Sequence, residues 1–121
     1  MSNAAQAYAR VAQTTASPRE IEAQALLKAA NKLQTVMSNW DLPDADFAEA
    51  LLFNRKLWSI LLSAVTSDES QQSLEVRQNI ANIGTFVMTH TMELQLNPQR
   101  ERLKPLIDIN CNLAAGLSGR A

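Results

Sequence analysis

The sequence predicts an all-α protein, an antiparallel helical bundle with three long helices, a short N-terminal helix and a proline-broken C-terminal helix, folded as a single domain over residues 1–121. Two observations carry this. Only 3 Gly and 4 Pro punctuate the 121 residues, too few for the many turns of an all-β fold. Apolar residues also recur at spacings of three and four through long stretches rich in Ala, Leu, Gln, Glu, Arg, Asn and Met, most of them good helix formers. The apolar share of 46% belongs to a globular chain rather than a disordered one. A chain of this length buries roughly two thirds of its unfolded surface, enough for an independent core.

The elements follow in order. Asn3 to Gln13 puts Ala4, Ala5, Tyr8, Val11 and Ala12 on one helical face. Such a segment is too short to stand alone and must dock on something. Ser17-Pro18-Arg19-Glu20 is a helix start: Ser17 can cap, Pro18 suits the first helical position and Glu20 can complete a capping box. The first long helix carries the stripe Leu26, Ala30, Leu33, Met37 and Trp40, and is expected to end near Asn39, before the turn Asp41-Leu42-Pro43-Asp44.

A second long helix is expected from about Ala45 to Thr66. One stripe is Phe47, Leu51, Asn54, Trp58, Leu61, Leu62 and Val65; an adjoining one is Phe53, Leu57, Ile60 and Ala64. Two apolar faces imply a central helix with neighbours on both sides. After the polar stretch Ser67 to Ser73, a third long helix runs from about Leu74 to Gln95 with Val76, Ile80, Ile83, Val87 and Leu94 as its stripe, widened by Phe86, Met88 and Met92. Gly84 inside it costs ~1 kcal/mol against Ala and suggests a close helix contact. Asn97-Pro98 pairs a cap with a first-turn proline, opening a last helix that holds Leu103, Leu106, Ile107, Asn110, Leu113, Ala114 and Leu117. Pro105 is expected to break it at Lys104, and Gly116 to stop it.

Charge and composition narrow the function classes. The net charge is −1, with no Lys/Arg cluster, which argues against direct nucleic-acid binding and against a membrane-surface helix. No apolar run reaches the ~18 residues that span a bilayer. The N-terminal residues Met1 to Tyr8 show no apolar signal region, and the one cysteine, Cys111, has no partner for an internal disulfide. The expectation is a cytoplasmic protein.

Catalytic and metal-binding patterns are lacking. The single histidine, His90, sits between Thr89 and Thr91 with neither a nucleophile nor an orienting carboxylate beside it in sequence. Asp108-Ile109-Asn110-Cys111-Asn112 opens like a calcium loop, but its sixth position is Leu113 rather than Gly and its twelfth is Gly119 rather than Glu. No zinc spacing and no glycine-rich phosphate loop occurs. The chain is therefore expected to bind other proteins, with no catalytic residues, no metal and no cofactor.

Three segments together resemble one family, the flagellar biosynthesis regulator FlaF of alphaproteobacteria. They are a Tyr8 arm followed by Ser17-Pro18-Arg19-Glu20-Ile21-Glu22, then Asn54-Arg55-Lys56-Leu57-Trp58, then Leu106-Ile107-Asp108-Ile109-Asn110 closed by Gly116-Leu117. Their order and spacing fit from about Tyr8 to Leu117. Two positions depart from the family pattern: Ser73-Leu74-Glu75-Val76-Arg77 replaces a helix-opening Leu-Pro pair, and Phe86 stands where the family tends to have Trp. The resemblance implies a flagellum assembly factor that binds flagellin and regulates its synthesis and export, a flagellin chaperone working with or against a second regulator, FlbT. The alternative within the same resemblance is a post-transcriptional regulator of flagellin mRNA, acting directly or through FlbT.

Each motif also has a purely structural reading. Ser17 to Glu20 is most simply a helix cap. Trp58 is either core or an exposed interface anchor. Asn54, on an apolar stripe, either hydrogen-bonds a neighbouring element or lines a groove, since a buried amide needs partners. Arg55 is either a solvated charge or a clamp for Asp108. The expected arrangement has Leu57 and Trp58 inward, with Asn54 and Arg55 reaching Asp108 and Asn110, the polar residues set among apolar ones in the last helix. The expected mechanism is an amphipathic flagellin helix held in an apolar groove, with Phe86, Met88 and Met92 offering an adaptable surface.

Overall fold

The computed structural model describes residues 18–41, 43–67, 70 and 72–119. The expected helix over Asn3–Gln13, with Tyr8, and the expected cap Ser17 lie outside these residues. Helix α1 spans Pro18–Ser38, α2 spans Asp44–Thr66, α3 spans Leu74–Leu96, and α4 spans Lys104–Leu117. A 3-10 turn, Arg100–Leu103, precedes α4. Among the described residues there is no strand.

Local chemistry accounts for the helix ends. Pro18 opens α1, and Glu20 lies in its first turn, where a carboxylate favours the positive end of the helix dipole. Pro43 precedes α2 without a side-chain cap, and Asp44 and Asp46 in the first turn supply the favourable charge instead. Ser73 caps α3 through its Oγ, which accepts from the Val76 backbone N–H at 3.2 Å. Arginines from the following elements satisfy carbonyls that a helix end leaves unpaired. Arg77 on α3 donates to Val65 O at 2.6 Å and to Ser67 O at 3.2 Å, at the end of α2. Arg100 donates to Met37 O at 2.7 Å, at the end of α1.

These contacts also set the topology. Arg77 ties the start of α3 to the end of α2, and Arg100 brings the 3-10 turn before α4 to the end of α1, so α4 runs antiparallel to α1. By backbone approach, α1 lies against α4 and α2, and α2 lies against α3. The second helix is thus flanked on both sides, as its two apolar stripes predict. Among the described residues no comparably close backbone packing joins α3 to α4. These two are tied at their connected ends, where the His90 ring Nε2 lies 2.6 Å from Arg102 O and Arg102 pairs with Glu93.

The core is built from Leu26 and Leu33 of α1, Leu51 and Trp58 of α2, Val87 and Leu94 of α3, Leu103 of the 3-10 turn and Leu106 of α4. Burying each large apolar side chain contributes about 1.5–3 kcal/mol. Gly84 lets α3 approach α2: a Cβ there would stand 2.4 Å from Leu62 Cδ2.

Several sequence expectations are corrected. Asn97 does not open a helix; it is the C-cap residue of α3, and its N–H bonds to Glu93 O. The helical turn that follows is 3-10, and the α-helix starts only at Lys104, with Pro105 in its first turn. There the missing N–H costs nothing; the break expected at Lys104 does occur, as the point where the 3-10 turn gives way to the α-helix. No unbent helix runs from Pro98 through Leu113. Gly116 does not stop α4, which continues to Leu117; Gly119, at φ +71°, is the residue in the left-handed region. Trp40, Ile60, Ala64 and Val76, assigned to apolar stripes, are exposed. Trp40 sits edge-on to Phe47 with ring centroids 5.7 Å apart.

Candidate functional site

Asn54 and Trp58 stand four positions apart on α2, hence on one face. Asn110 on α4 shares its face with Leu106, Ile107 and Ala114. The packing of α2 toward α4 brings all three together with no solvent exposure. Trp58 Nε1–H donates to Asn110 Oδ1 at 3.0 Å. Asn110 Nδ2 donates in turn to Asn54 Oδ1 at 2.6 Å. Asn54 Nδ2 has no hydrogen-bond partner among the described residues. Two of the three partners are amides that an apolar neighbour would leave unsatisfied, so this relay fixes how α2 sits against α4. Being closed to solvent, it offers no contact surface. Of the two readings of Trp58 the core holds, and of the two readings of Asn54 the hydrogen bond to a neighbouring helix holds.

The other motif residues do not join this relay. Arg55 is exposed and forms no ion pair among the described residues. Asp108 is exposed and pairs with Lys104 at 2.8 Å, one turn away on its own helix. The expected reach of Arg55 toward Asp108 is therefore absent. Arg55 follows Asn54 by one position, about 100° around the helix, so burying Asn54 turns Arg55 outward. Pro18, Arg19 and Glu20 form the first turn of α1, with Arg19 and Glu20 exposed. Tyr8 and Ser17 fall outside the described residues. Cys111 is exposed, while His90 is buried, stacked on Phe86 with ring centroids 5.2 Å apart.

An open cavity lies elsewhere. Away from their connected ends, α3 and α4 leave a seam holding a cavity of about 350 Å³. Its apolar lining comes from Ile80 of α3, Leu113 and Leu117 of α4, and Leu61, Ala64 and Val65 of α2. Glu22 of α1 and Ser67, Ser70 and Gln72 from the connector complete the lining with polar groups. A lining of apolar side chains joined by a few polar ones suits an amphipathic helix. The sequence places Leu61, Val65, Ile80, Leu113 and Leu117 on core stripes but cannot say that α3 and α4 stay apart. A surplus of apolar positions on α2, including Ala64, is the one signal that pointed this way.

Phe86, Met88 and Met92 do not form one adaptable patch. Met88 packs against the core. Phe86 and Met92 are both exposed, but six positions place them about 120° apart around α3. Among the described residues no group of three or more His, Cys, Asp or Glu comes together, and no helix is long and apolar enough to cross a membrane.

Compared with known families, the chain matches one family model, described as flagellar protein FlaF, over residues 4–117. No curated protein and no solved structure matches it.

Proposed function

The chain belongs to the FlaF family of flagellar proteins, and on that basis we propose that it binds flagellin and regulates its synthesis and export, working as a cytoplasmic binding protein rather than an enzyme. The observation that carries this reading is the open seam between α3 and α4. A subunit awaiting export has amphipathic segments whose apolar faces are buried only after assembly. Leu61, Val65, Ile80, Leu113 and Leu117 can cover such a face. Holding the segment blocks premature assembly, and the free or loaded state of the seam reports the flagellin supply, to FlbT or to another regulator.

Apolar burial dominates in this mechanism, so affinity depends little on ionic strength. The test is fluorescence anisotropy with labelled peptides from the two ends of flagellin. Ile80→Asp and Leu113→Asp are each expected to weaken binding at least tenfold, and Met92→Asp, on an exposed face away from the seam, to leave it unchanged. Peptide binding that all three variants retain removes the seam from the mechanism. A steep salt dependence, together with binding to flagellin mRNA, would instead favour regulation at the message, since phosphate contacts are lost rapidly as salt rises.

A further inference from the structure

One charge lines the cavity, and it stands where an apolar residue would be expected. Glu22 precedes Leu26, Ala29 and Leu33 on α1 by four, seven and eleven positions, so it shares their helical face. Those three residues are fully buried, whereas Glu22 is half-buried and lines the cavity. Its carboxylate has no ion pair and no hydrogen-bonding side chain among the described residues. The cavity lining among the described residues includes no Lys, Arg or His. The nearby cation Arg77 is committed to the carbonyls of Val65 and Ser67. Arg19, three positions before Glu22, is exposed and forms no ion pair among the described residues. A carboxylate drawn partly out of water favours a cation beside it.

We propose that Glu22 selects the occupant of the seam: the helix bound there carries a Lys or Arg at the edge of its apolar face, and that cation pairs with the Glu22 carboxylate. This rests on the reading of the seam as the flagellin site and names what the site selects. Selection works in both directions. An occupant that covers the cavity takes from Glu22 the water it still has. A cation on the occupant then replaces that water, while a neutral or acidic residue leaves a buried charge unpaired and is rejected. Apolar contact with Leu61, Ile80, Leu113 and Leu117 is undirected, so this one pair also fixes how the bound helix is placed along the seam. An enclosed pair is screened less than a surface pair, which keeps the dependence on ionic strength weak.

The test uses the full chain, its Glu22→Gln variant and labelled peptides from the two ends of flagellin in which each Lys and Arg is changed to Gln in turn. One such change is expected to weaken binding to the unaltered chain about tenfold and to leave binding to Glu22→Gln unaffected. Glu22→Lys is expected to weaken binding of the unmodified peptide more than Glu22→Gln does. Peptide changes that act alike on the unaltered chain and on Glu22→Gln overturn the proposal and leave flagellin as the partner. If no flagellin peptide binds, designed amphipathic helices of Leu, Ala and Gln are used, with a single Lys or Glu moved along the edge of the apolar face. A preference for Lys that Glu22→Gln abolishes then supports the proposal and removes flagellin; no preference, or no binding, overturns it. Far-ultraviolet circular dichroism checks that the helices persist, with Glu22→Ala read in place of a variant that loses them. A carboxylate that served only the dipole of α1 would change the melting temperature and not the choice of peptide, which also overturns the proposal.

Discussion

Replacing Asn110 by Ala is expected to cost far more than replacing Asn54 by Ala, although both are the same residue type and neither is exposed. The two substitutions delete the same atoms, so their cavity costs cancel to first order. What differs is the wiring. Asn110 accepts from Trp58 Nε1–H and donates to Asn54 Oδ1. Its removal strands a buried donor and a buried acceptor, each at about 1–3 kcal/mol, for a total of about 2–6 kcal/mol. Removing Asn54 strands only Asn110 Nδ2, and it also eliminates the Asn54 Nδ2 that already lacks a partner among the described residues. Those two contributions are of similar size and opposite sign, leaving a cost near that of the cavity alone. The assay is urea unfolding followed by circular dichroism, with thermal melting as a check. A domain of this size shifts its Tm by about 3–6 °C per kcal/mol. The double variant is expected to be less destabilised than the sum of the singles, because it strands Trp58 Nε1–H alone. Equal costs, or a larger one for Asn54→Ala, would refute the relay as the reason these residues are buried.

Other substitutions probe separate parts of the argument. Trp58→Ala is expected to cost about 3–5 kcal/mol because the ring is fully buried, and chemical denaturation will show a large loss of fold rather than a folded protein that fails to bind. Gly84→Ala is expected to lower stability by about 1–3 kcal/mol by forcing Leu62 to move; in a Leu62→Ala background the same change is expected to raise stability by about 1 kcal/mol, and melting curves that show no reversal of sign count against close packing there. Asp108→Ala removes only the exposed pair with Lys104, so its effect is expected to stay below about 0.5 kcal/mol, and a larger loss by urea titration would point to a role that the side chain's surroundings do not explain.

The three long helices and their stripes were legible in the chain because helix periodicity and end chemistry are local. Pro18 at a first turn, Ser73 before Leu74 and the spacing of Leu26, Ala30 and Leu33 act over a few residues. The misreading around Asn97-Pro98 shows the limit of the same reasoning: two prolines in reach of one helix each suit a first turn, and only packing of Leu103 and the bond from Arg100 to Met37 O select Pro105 for the α-helix. The family motifs were readable as well, and Asn54, Trp58 and Asn110 stood out because polar groups on apolar stripes need partners.

What the sequence determined by itself was the helical class, the long helices, the close approach at Gly84 and the need of Asn54 for a polar partner. Tertiary structure decided the rest. It settled that Asn110, not Asp108, meets Asn54, that Arg55 turns to solvent, and that α3 and α4 part to leave the seam. Each of these depends on which helix faces are brought together across long stretches of chain, 56 residues between Asn54 and Asn110. Apolar stripes attract one another without direction, so periodicity alone cannot say which neighbours meet or where one is left uncovered.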